Sequence, residues 1–174
     1  MDFWEVIEAR RSVRWFDTQQ DVPQQLVKQM LRAAIRAPSA GNRQPWHFVV
    51  VRRPEVKEEL AIAAWGQSFV AQAPLVIVVC AEPERSASRY GRRGVELYCL
   101  QDTAAAPEHL LLAATALGLG SCWVGAFDEG EAARALNLPA GLRPVALIPV
   151  GYPAQEAGGR TSRRPIQEVV EAIT

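Results

Sequence analysis

The sequence has few of the side chains from which disulfide and metal sites are built. Its three cysteines, Cys80, Cys99 and Cys122, form no CxxC pair, and an odd number leaves one of them unpaired. This pattern excludes a disulfide framework and favours a reducing compartment. With only His47 and His109, and no close Cys/His cluster, we expect no metal site.

The chain also lacks net charge. Its 19 basic residues balance 19 acidic ones, so we expect neither a nucleic-acid nor a membrane partner. Lysine is nearly absent: only Lys28 and Lys57 are present, which leaves 17 of the 19 basic residues as arginine. Arginine binds phosphate and carboxylate in a bidentate manner, although a general compositional bias is the simpler explanation for most of these residues.

Long hydrophobic runs are scarce as well. Residues 110–127 carry no charge, but Gly118, Gly120, Ser121 and Gly125 divide them into a helix end, a turn and a short strand. The first five residues contain acid where a signal peptide needs base. We therefore expect a cytoplasmic protein.

The composition that remains is that of a folded domain. With 49% hydrophobic and 22% charged residues, a chain of 174 residues has the material for a sizeable core, and intrinsic disorder is excluded. The length predicts a single domain over residues 1–174.

The hydrophobic pattern predicts five or six helices. Residues 2–10 are expected to turn Phe3, Val6 and Ile7 inward, and Asp21 is expected to cap a second helix that ends before Pro38. Further helices are predicted over residues 54–65, 95–117, 129–136 and from 165 onward, while residues 83–94 are expected to form a loop. Pro107 should kink or split the long apolar helix.

About four strands are predicted, over residues 48–51, 75–79, 122–124 and 145–150. The second is a continuous β-branched run, typical of a strand buried on both faces. Together the elements predict an α+β or α/β sandwich. The apolar surface left on several helices indicates a partner subunit, and we expect a dimer.

The first candidate site is at the end of the first helix, where three guanidinium groups and a hydroxyl fall within five residues: Arg10, Arg11, Ser12 and Arg14. In an extended chain these donors would line one side, as a phosphate and an electron-rich ring edge require. The alternative is a solvated basic cluster that interacts with the helix dipole.

Two further segments are candidates for contacts with a planar ligand. Residues 38–48 form a loop between prolines, where Asn42 and Gln44 offer both donors and acceptors; the alternative is an ordinary turn before a strand. Residues 118–127 contain three glycines that permit close backbone approach; the alternative is a tight turn. A fourth candidate is a second anion site at Arg160, Arg163 and Arg164, unless these belong to a solvated tail.

No side-chain constellation for hydrolysis is apparent, because no Ser/His/Asp arrangement or carboxylate pair stands out. The arginines also do not interleave with aromatic residues in the manner of a nucleic-acid groove. We therefore predict no catalytic side chain.

Taken in order, four motifs resemble those of the FMN-dependent nitroreductase family. They are RRSVRxF at residues 10–16, PSxxNxQPWHF at 38–48, GLGSCWVG at 118–125, and VGYP at 150–153 followed by an arginine before proline. The resemblance extends over about residues 3–170. It implies an α+β fold with a central, mostly antiparallel sheet covered by helices, in a homodimer with FMN at the subunit interface.

The resemblance also implies site residues. Arg10, Arg11 and Ser12 would hold the FMN phosphate and ribityl chain, and Arg14 would lie near the pyrimidine edge. The other positions that match the family motifs are Pro38, Ser39, Ala40 and Asn42, which would reach the flavin of the other subunit, Val124 and Gly125, whose backbone would face the ring, and Arg163 at the phosphate. The sequence departs from the family at Thr161, where a basic residue is common, and at Pro107.

The implied function is an NAD(P)H-dependent FMN oxidoreductase that reduces nitroaromatic, quinone or similar small acceptors by a ping-pong mechanism, with NADH or NADPH as co-substrate. The alternatives are a specialised flavin enzyme of the same fold, such as a reductive dehalogenase or a flavin-fragmenting enzyme, and a non-catalytic protein that binds or stores FMN.

Overall fold

The computed structural model describes residues 1–155 and 161–173. A four-stranded sheet in the order β1-β2-β4-β3 forms its centre, and each neighbouring pair is antiparallel. The strands are β1 (Trp46–Val51), β2 (Leu75–Ala81), β3 (Gly120–Ser121) and β4 (Arg143–Gly151). The predicted α+β class with a mostly antiparallel sheet is confirmed.

Seven α-helices surround the sheet: α1 (Phe3–Ala9), α2 (Gln24–Ala34), α3 (Pro54–Ala63), α4 (Phe69–Gln72), α5 (Pro83–Arg93), α6 (Cys99–Ala116) and α7 (Glu129–Ala135), counted over the described ranges. A π-helical turn over Gly94–Tyr98 joins α5 to α6, and 3-10 turns occur at Ala40–Asn42 and Ile166–Glu168. Among the residues the structure describes, no helix combines the length and apolarity needed to cross a membrane.

The core has one layer on each face of the sheet, and β2 contributes to both. Every residue of β2 is buried, as its β-branched run predicts. On one face Ile77 packs in a cluster with residues of α2 and α6, and on the other Val76 packs with residues of α3 and α7. The alternation of side chains along the strand therefore supplies both layers.

Two predicted details of the helices are wrong, and of the kink or split expected at Pro107 the split is excluded. Asp21 does not cap α2: its carboxylate accepts the N–H of Val22 and pairs with Arg52, and α2 begins after Pro23. Phe3 and Ile7 are 64% and 40% exposed, so that α1 buries Val6 alone. Pro107 does not split the long helix, because α6 continues through it from Cys99 to Ala116.

Residues 83–94, predicted as a loop, instead form α5 and the start of the π-helical turn. Pro83 occupies the first turn, where its missing N–H costs no hydrogen bond. The inner side carries the fully buried Ser86 and the half-buried Tyr90 rather than aliphatic residues, so no hydrophobic period marks the helix.

The short strand predicted at residues 122–124 is displaced toward the N terminus. Gly120 and Ser121 pair with β4 as β3, and the chain then loses its regular pairing. It rejoins the sheet at Val124, which exchanges two backbone hydrogen bonds of 2.9 Å with Leu147.

Candidate active site

Residues 10–14 run beside β3 at one edge of the sheet. The N–H of Val13 donates to the carbonyl oxygen of Ser121 at 2.9 Å, and Ser12 forms a parallel bridge with Ser121. Val13 is buried, whereas Ser12 and Arg14 are exposed. The edge therefore presents the hydroxyl and guanidinium donors to solvent while the valine anchors the segment.

Gly120 permits this close approach. A Cβ atom built on Gly120 would lie 2.8–3.0 Å from three side-chain atoms of Val13, closer than real Cβ contacts. This glycine is thus explained by packing between two chain segments. Gly125 differs, because its Cβ would meet only the indole of Trp123, at 3.6 Å or more. Space for a ligand is therefore found at Gly125.

The pKa of the Cys122 thiol depends on the charged groups around this edge of the sheet. Burial raises its pKa, while Arg14, the hydroxyl of Ser12 and Arg10 act in the opposite direction. Two guanidinium groups and one hydroxyl thus lie close enough to act on the same thiol, directly after β3. A donor set of this kind is suited to a phosphate, because guanidinium binds phosphate oxygens in charge-assisted pairs.

Arg11 lies on the other side of the segment. It is half-buried, its Nε donates to the carbonyl of Ala9 at 3.3 Å, and it lines a cavity of about 430 Å³ together with Val13 and Gly120. Arg11 therefore faces a different space from Ser12 and Arg14.

The turn at Val124 and Gly125 follows directly after β3. The N–H of Val124 is committed to Leu147, so it is not free for a ligand. The N–H of Gly125 makes no hydrogen bond within the described ranges, and Gly125 is exposed. Of the two predicted positions, only Gly125 offers an available backbone donor.

The end of α3 holds this turn in place. The N–H of Asp128 donates to the carbonyl of Ala63 at 2.8 Å, and the Gln67 side chain donates to the carbonyl of Ala126 at 3.2 Å. Sequence reasoning missed Gln67, because an isolated glutamine in a loop carries no signal of a contact 59 residues away.

A side chain of α6 holds the loop at residues 38–42 in place. The N–H of Ala40 donates to both carboxylate oxygens of Asp102 at 3.1 Å. Asp102 is buried, and burial raises its pKa while the Ala40 N–H lowers it. The sequence analysis missed this residue, although an aspartate inside a strongly apolar helix is a signal for a buried polar contact.

Internal hydrogen bonds complete the loop. The Ser39 hydroxyl accepts the N–H of Gln44 at 3.0 Å, and the Gln44 amide donates to the Asn42 side chain at 3.1 Å. Asn42 and Gln44 both have left-handed backbone conformations, with φ of 54° and 50°. The side-chain oxygen of Asn42 is therefore used within the loop, while Pro38 lies exposed at its start.

Within one chain the two candidate surfaces lie at opposite edges of the sheet. Residues 38–42 lead into β1, whereas residues 10–14 accompany β3, and the strand order places β1 and β3 at the two ends. Three strand spacings separate these edges, about 14 Å. The structure therefore brings residues 10–14 and 120–125 together and leaves residues 38–42 apart from them.

The second predicted anion site lies on the C-terminal tail. The Arg163 guanidinium donates to the hydroxyl and carbonyl oxygens of Thr161 at 2.8 and 3.1 Å, and Arg164 pairs with Glu168. Arg160 lies outside the described residues. All described residues from 161 onward are exposed, including Ile166 and Val170.

Comparisons with known proteins identify the family. The Nitroreductase family model matches residues 7–67 and 61–152. A Thermus thermophilus protein named NADH dehydrogenase is 36% identical over 188 residues, which cover 92% of this chain and 91% of that protein. The crystal structure of a nitroreductase family protein from Clostridium novyi has 39% identity and a TM-score of 0.79, covering 88% of this chain and 86% of that one.

A more distant relative is human iodotyrosine deiodinase 1, which is 26% identical over 200 residues that cover 99% of this chain and 68% of that protein. The match of the family model across most of the chain agrees with the antiparallel sheet. The chain belongs to the nitroreductase family and is a nitroreductase-family oxidoreductase.

Proposed function

We propose that residues 1–174 form one FMN-binding domain that takes hydride from NADH or NADPH and reduces nitroaromatic, quinone or similar small acceptors by a ping-pong mechanism. The observation that carries the proposal is the placement of Arg10, Ser12 and Arg14 along β3, directly before the open turn at Gly125. An anion-binding edge beside a surface with room for a planar ring fits a phosphorylated flavin.

The residues divide the task of binding. Arg10 and Ser12 would hold the phosphate and ribityl chain through charge-assisted hydrogen bonds, whereas Arg11, also expected there from the sequence, faces the separate cavity beside Val13 and Gly120. Arg14 would place positive charge near the pyrimidine edge of a bound flavin, and the Gly125 N–H would be the backbone donor available to its ring, while Val124 ties the turn to Leu147. The flavin, when bound, supplies the hydride chemistry between nicotinamide and acceptor.

The chain's own contribution is position and electrostatics. The charged groups of this edge that act on Cys122 are the guanidiniums of Arg10 and Arg14, which favour an anion but do not serve as acids. The flavin would supply the hydride chemistry without a general acid from the protein, and donor and acceptor would occupy the same space in turn. Double-reciprocal plots of initial rate against NADH or NADPH concentration, recorded at several fixed acceptor concentrations, should give parallel lines. Intersecting lines would contradict the binding of donor and acceptor in the same space.

A homodimer would complete the site. The predicted residues Pro38, Ser39, Ala40 and Asn42 lie at the β1 edge, away from the Gly125 turn of their own chain, and would reach that turn in a second copy. Exposed apolar side chains on α1 and the tail are suited to the same interface: Phe3, Trp4, Ile166, Val169, Val170 and Ile173. The tail would also carry Arg163 to the FMN phosphate.

Mixing two defective variants tests this arrangement. Dimers formed from Arg14→Ala and Asp102→Ala chains contain one intact combination of residues 10–14 and loop 38–42, because alanine removes the acceptor of the Ala40 N–H. About one quarter of the sites should then regain activity after random pairing. Failure of any mixture to exceed its components, with dimers present in solution, would contradict a site shared between chains.

The phosphate assignment is tested by Arg10→Ala and Arg14→Ala, with Arg53→Ala as a control because Arg53 is exposed on the N-terminal side of α3 and lies 3.8 Å from Glu55. Each loss of a charged contact should weaken FMN binding by about 1.5–3 kcal/mol, toward the lower end for the exposed Arg14. Equal FMN affinity in both site variants and the control would show that the assignment is wrong.

The similarity to iodotyrosine deiodinase 1 supports one second candidate, reductive dehalogenation on the same flavin site. The reduced protein would then release halide from a halogenated phenol faster than it reduces a nitroaromatic or a quinone. Halide release measured beside quinone reduction distinguishes the two functions.

A further inference from the structure

Helix α5 lies directly against the loop at residues 38–42. A Cβ on Gly41 would lie 2.5 Å from the Tyr90 hydroxyl and 3.1 and 3.2 Å from Cδ and Nε of Arg89. Gly41 also has a φ of 54°, so this close contact depends on glycine in two respects. The Arg89 guanidinium is therefore fixed beside the loop that carries Ser39 and Asn42.

Arg89 and Arg93 stack on one aromatic pair. The Arg89 Cζ lies 5.6 Å from the Tyr90 ring centroid, and the Arg93 Cζ lies 5.2 Å from that of Tyr98. The two rings meet edge to face with centroids 5.1 Å apart. Arg93 Nε also donates to the Tyr98 hydroxyl at 2.9 Å. Stacking orients both guanidiniums and leaves further N–H donors on each.

Within the described ranges neither guanidinium pairs with a carboxylate. Their neighbours behave differently, since Arg92 contacts Glu96 at 2.6 Å and Arg85 lies 4.0 Å from Glu82. Arg43 adds a third cation without an acidic partner among the described residues: it donates to the Arg85 carbonyl at 2.8 Å and to the Ser88 hydroxyl at 2.6 Å.

The backbone that carries these residues is irregular. Helical geometry breaks at Gly91, with φ 53° and ψ −139°, and resumes as the π-helical turn over Gly94–Tyr98. This break brings Tyr98 and Arg93 back to Tyr90. Single π-helical turns occur frequently at functional sites. Three cations without an acidic partner among the described residues create a local positive potential that an anion would relieve, although the chain as a whole has zero net charge.

We propose that Arg89, Arg93 and Arg43 bind the diphosphate of the nicotinamide dinucleotide donor while its nicotinamide lies on the flavin. The proposal rests on the proposed function, because loop 38–42 must border the flavin. Residues 10–14 at the other sheet edge are assigned to the FMN phosphate, so α5 is left for an anion carried by the second ligand. NADH and NADPH share the diphosphate, which matches the guanidinium fork.

The test compares NADH with 1-benzyl-1,4-dihydronicotinamide, a hydride donor without phosphates, on the FMN-loaded protein. The double variant Arg89→Gln/Arg93→Gln should raise the KM for NADH about tenfold, with little change in kcat. Its kinetics with the benzyl donor and its FMN affinity should equal those of the parent. Arg92→Gln, which removes the neighbouring paired guanidinium, should change the KM for NADH less than twofold.

Salt provides an independent readout. Between low and high ionic strength, kcat/KM for NADH should fall in the parent, and fall less in the double variant, while the value for the benzyl donor stays constant. Arg89→Lys/Arg93→Lys should recover part of the loss, because charge returns without the planar fork.

Two outcomes would overturn the inference. If the double variant loses rate equally with both donors, the arginines support the loop rather than bind the donor. If it matches the parent with NADH, the cluster has no role in donor binding. Failure of the proposed function is distinguishable from both, because the parent would then bind no flavin or would oxidise neither donor.

Discussion

Replacing Gly120 by alanine tests how closely residues 10–14 pack on β3. Gly120 does not have a positive φ, so alanine meets no backbone strain there, and the cost comes from space alone. The new Cβ would approach Cγ1, Cβ and Cγ2 of Val13 to 2.8, 2.9 and 3.0 Å. Overpacking of this kind costs about 1–3 kcal/mol, and the lower entropy of the unfolded alanine chain returns about 0.4–1 kcal/mol.

We therefore expect Gly120→Ala to lose about 1–2 kcal/mol of unfolding free energy in urea. For a chain of this size, each kcal/mol corresponds to about 2–4 °C in Tm. FMN affinity should also fall, because Val13 carries Ser12 and Arg14 away from β3 as it moves. Val13→Ala in the Gly120→Ala background should recover only part of the stability, since the Val13 Cβ is itself in the contact.

Gly130→Ala is the matched control. It lies in α7, away from residues 10–14, and its Cβ would meet two side-chain atoms, the Asp128 Oδ1 that caps α7 at 3.3 Å and Nη1 of Arg134 at 3.6 Å. Alanine there should cost less stability than at Gly120, because the contacts are longer and alanine favours the helix. If Gly120→Ala keeps both the stability and the FMN affinity of the parent, the packing of residues 10–14 on β3 is not as described.

Three further predictions concern titratable groups. Burial raises the pKa of Asp102. Between about pH 4 and this raised pKa the folded protein keeps a proton that the unfolded chain has lost, so the free energy of unfolding declines as pH rises through that range. Asp102→Asn should therefore gain stability relative to the parent over that range in urea titrations, and a constant difference would contradict the assignment. Burial, with a smaller contribution from Glu82, raises the pKa of Cys80 to about 12, so stability should be lost between pH 9.0 and that value, and Cys80→Ala should lose less. Hydrogen bonds from Arg143 lower the pKa of Glu129, so the stability they add is present at neutral pH and disappears as pH falls through the lowered pKa. Because the pair is about half exposed, Glu129→Gln should cost at most about 1 kcal/mol at pH 7 and nothing in acid, and an equal cost at both pH values would refute the ion-pair explanation.

The sequence predicts the sheet well because its strands carry strong local signals. The buried run of β2 and the last strand, β4, follow directly from continuous β-branched and aliphatic residues. The order β1-β2-β4-β3 does not follow from local signals, because it depends on contacts between strands far apart in the chain. Helix α1 shows a different limit. Its apolar side chains follow a helical pattern, but Phe3 and Ile7 remain exposed among the described residues of a single chain.

The candidate site was predictable as motifs and not as geometry. Nothing local in residues 10–14 indicates that Val13 donates to Ser121, 108 residues away, or that Gly120 is needed for that contact. Helix α5 was missed because Ser86, Tyr90 and glycine contacts hold it in place of an aliphatic stripe. Its arginines, stacked on Tyr90 and Tyr98, were therefore absent from the predicted site.

The most direct test of the central claim is the visible absorption spectrum of the purified protein, recorded before and after anaerobic addition of NADH and then of NADPH. We predict a bound flavin whose absorption band bleaches on addition of at least one of these donors and returns with a quinone or a nitroaromatic compound. A protein that remains colourless after incubation with FMN, or a bound flavin that neither donor reduces, would contradict the account.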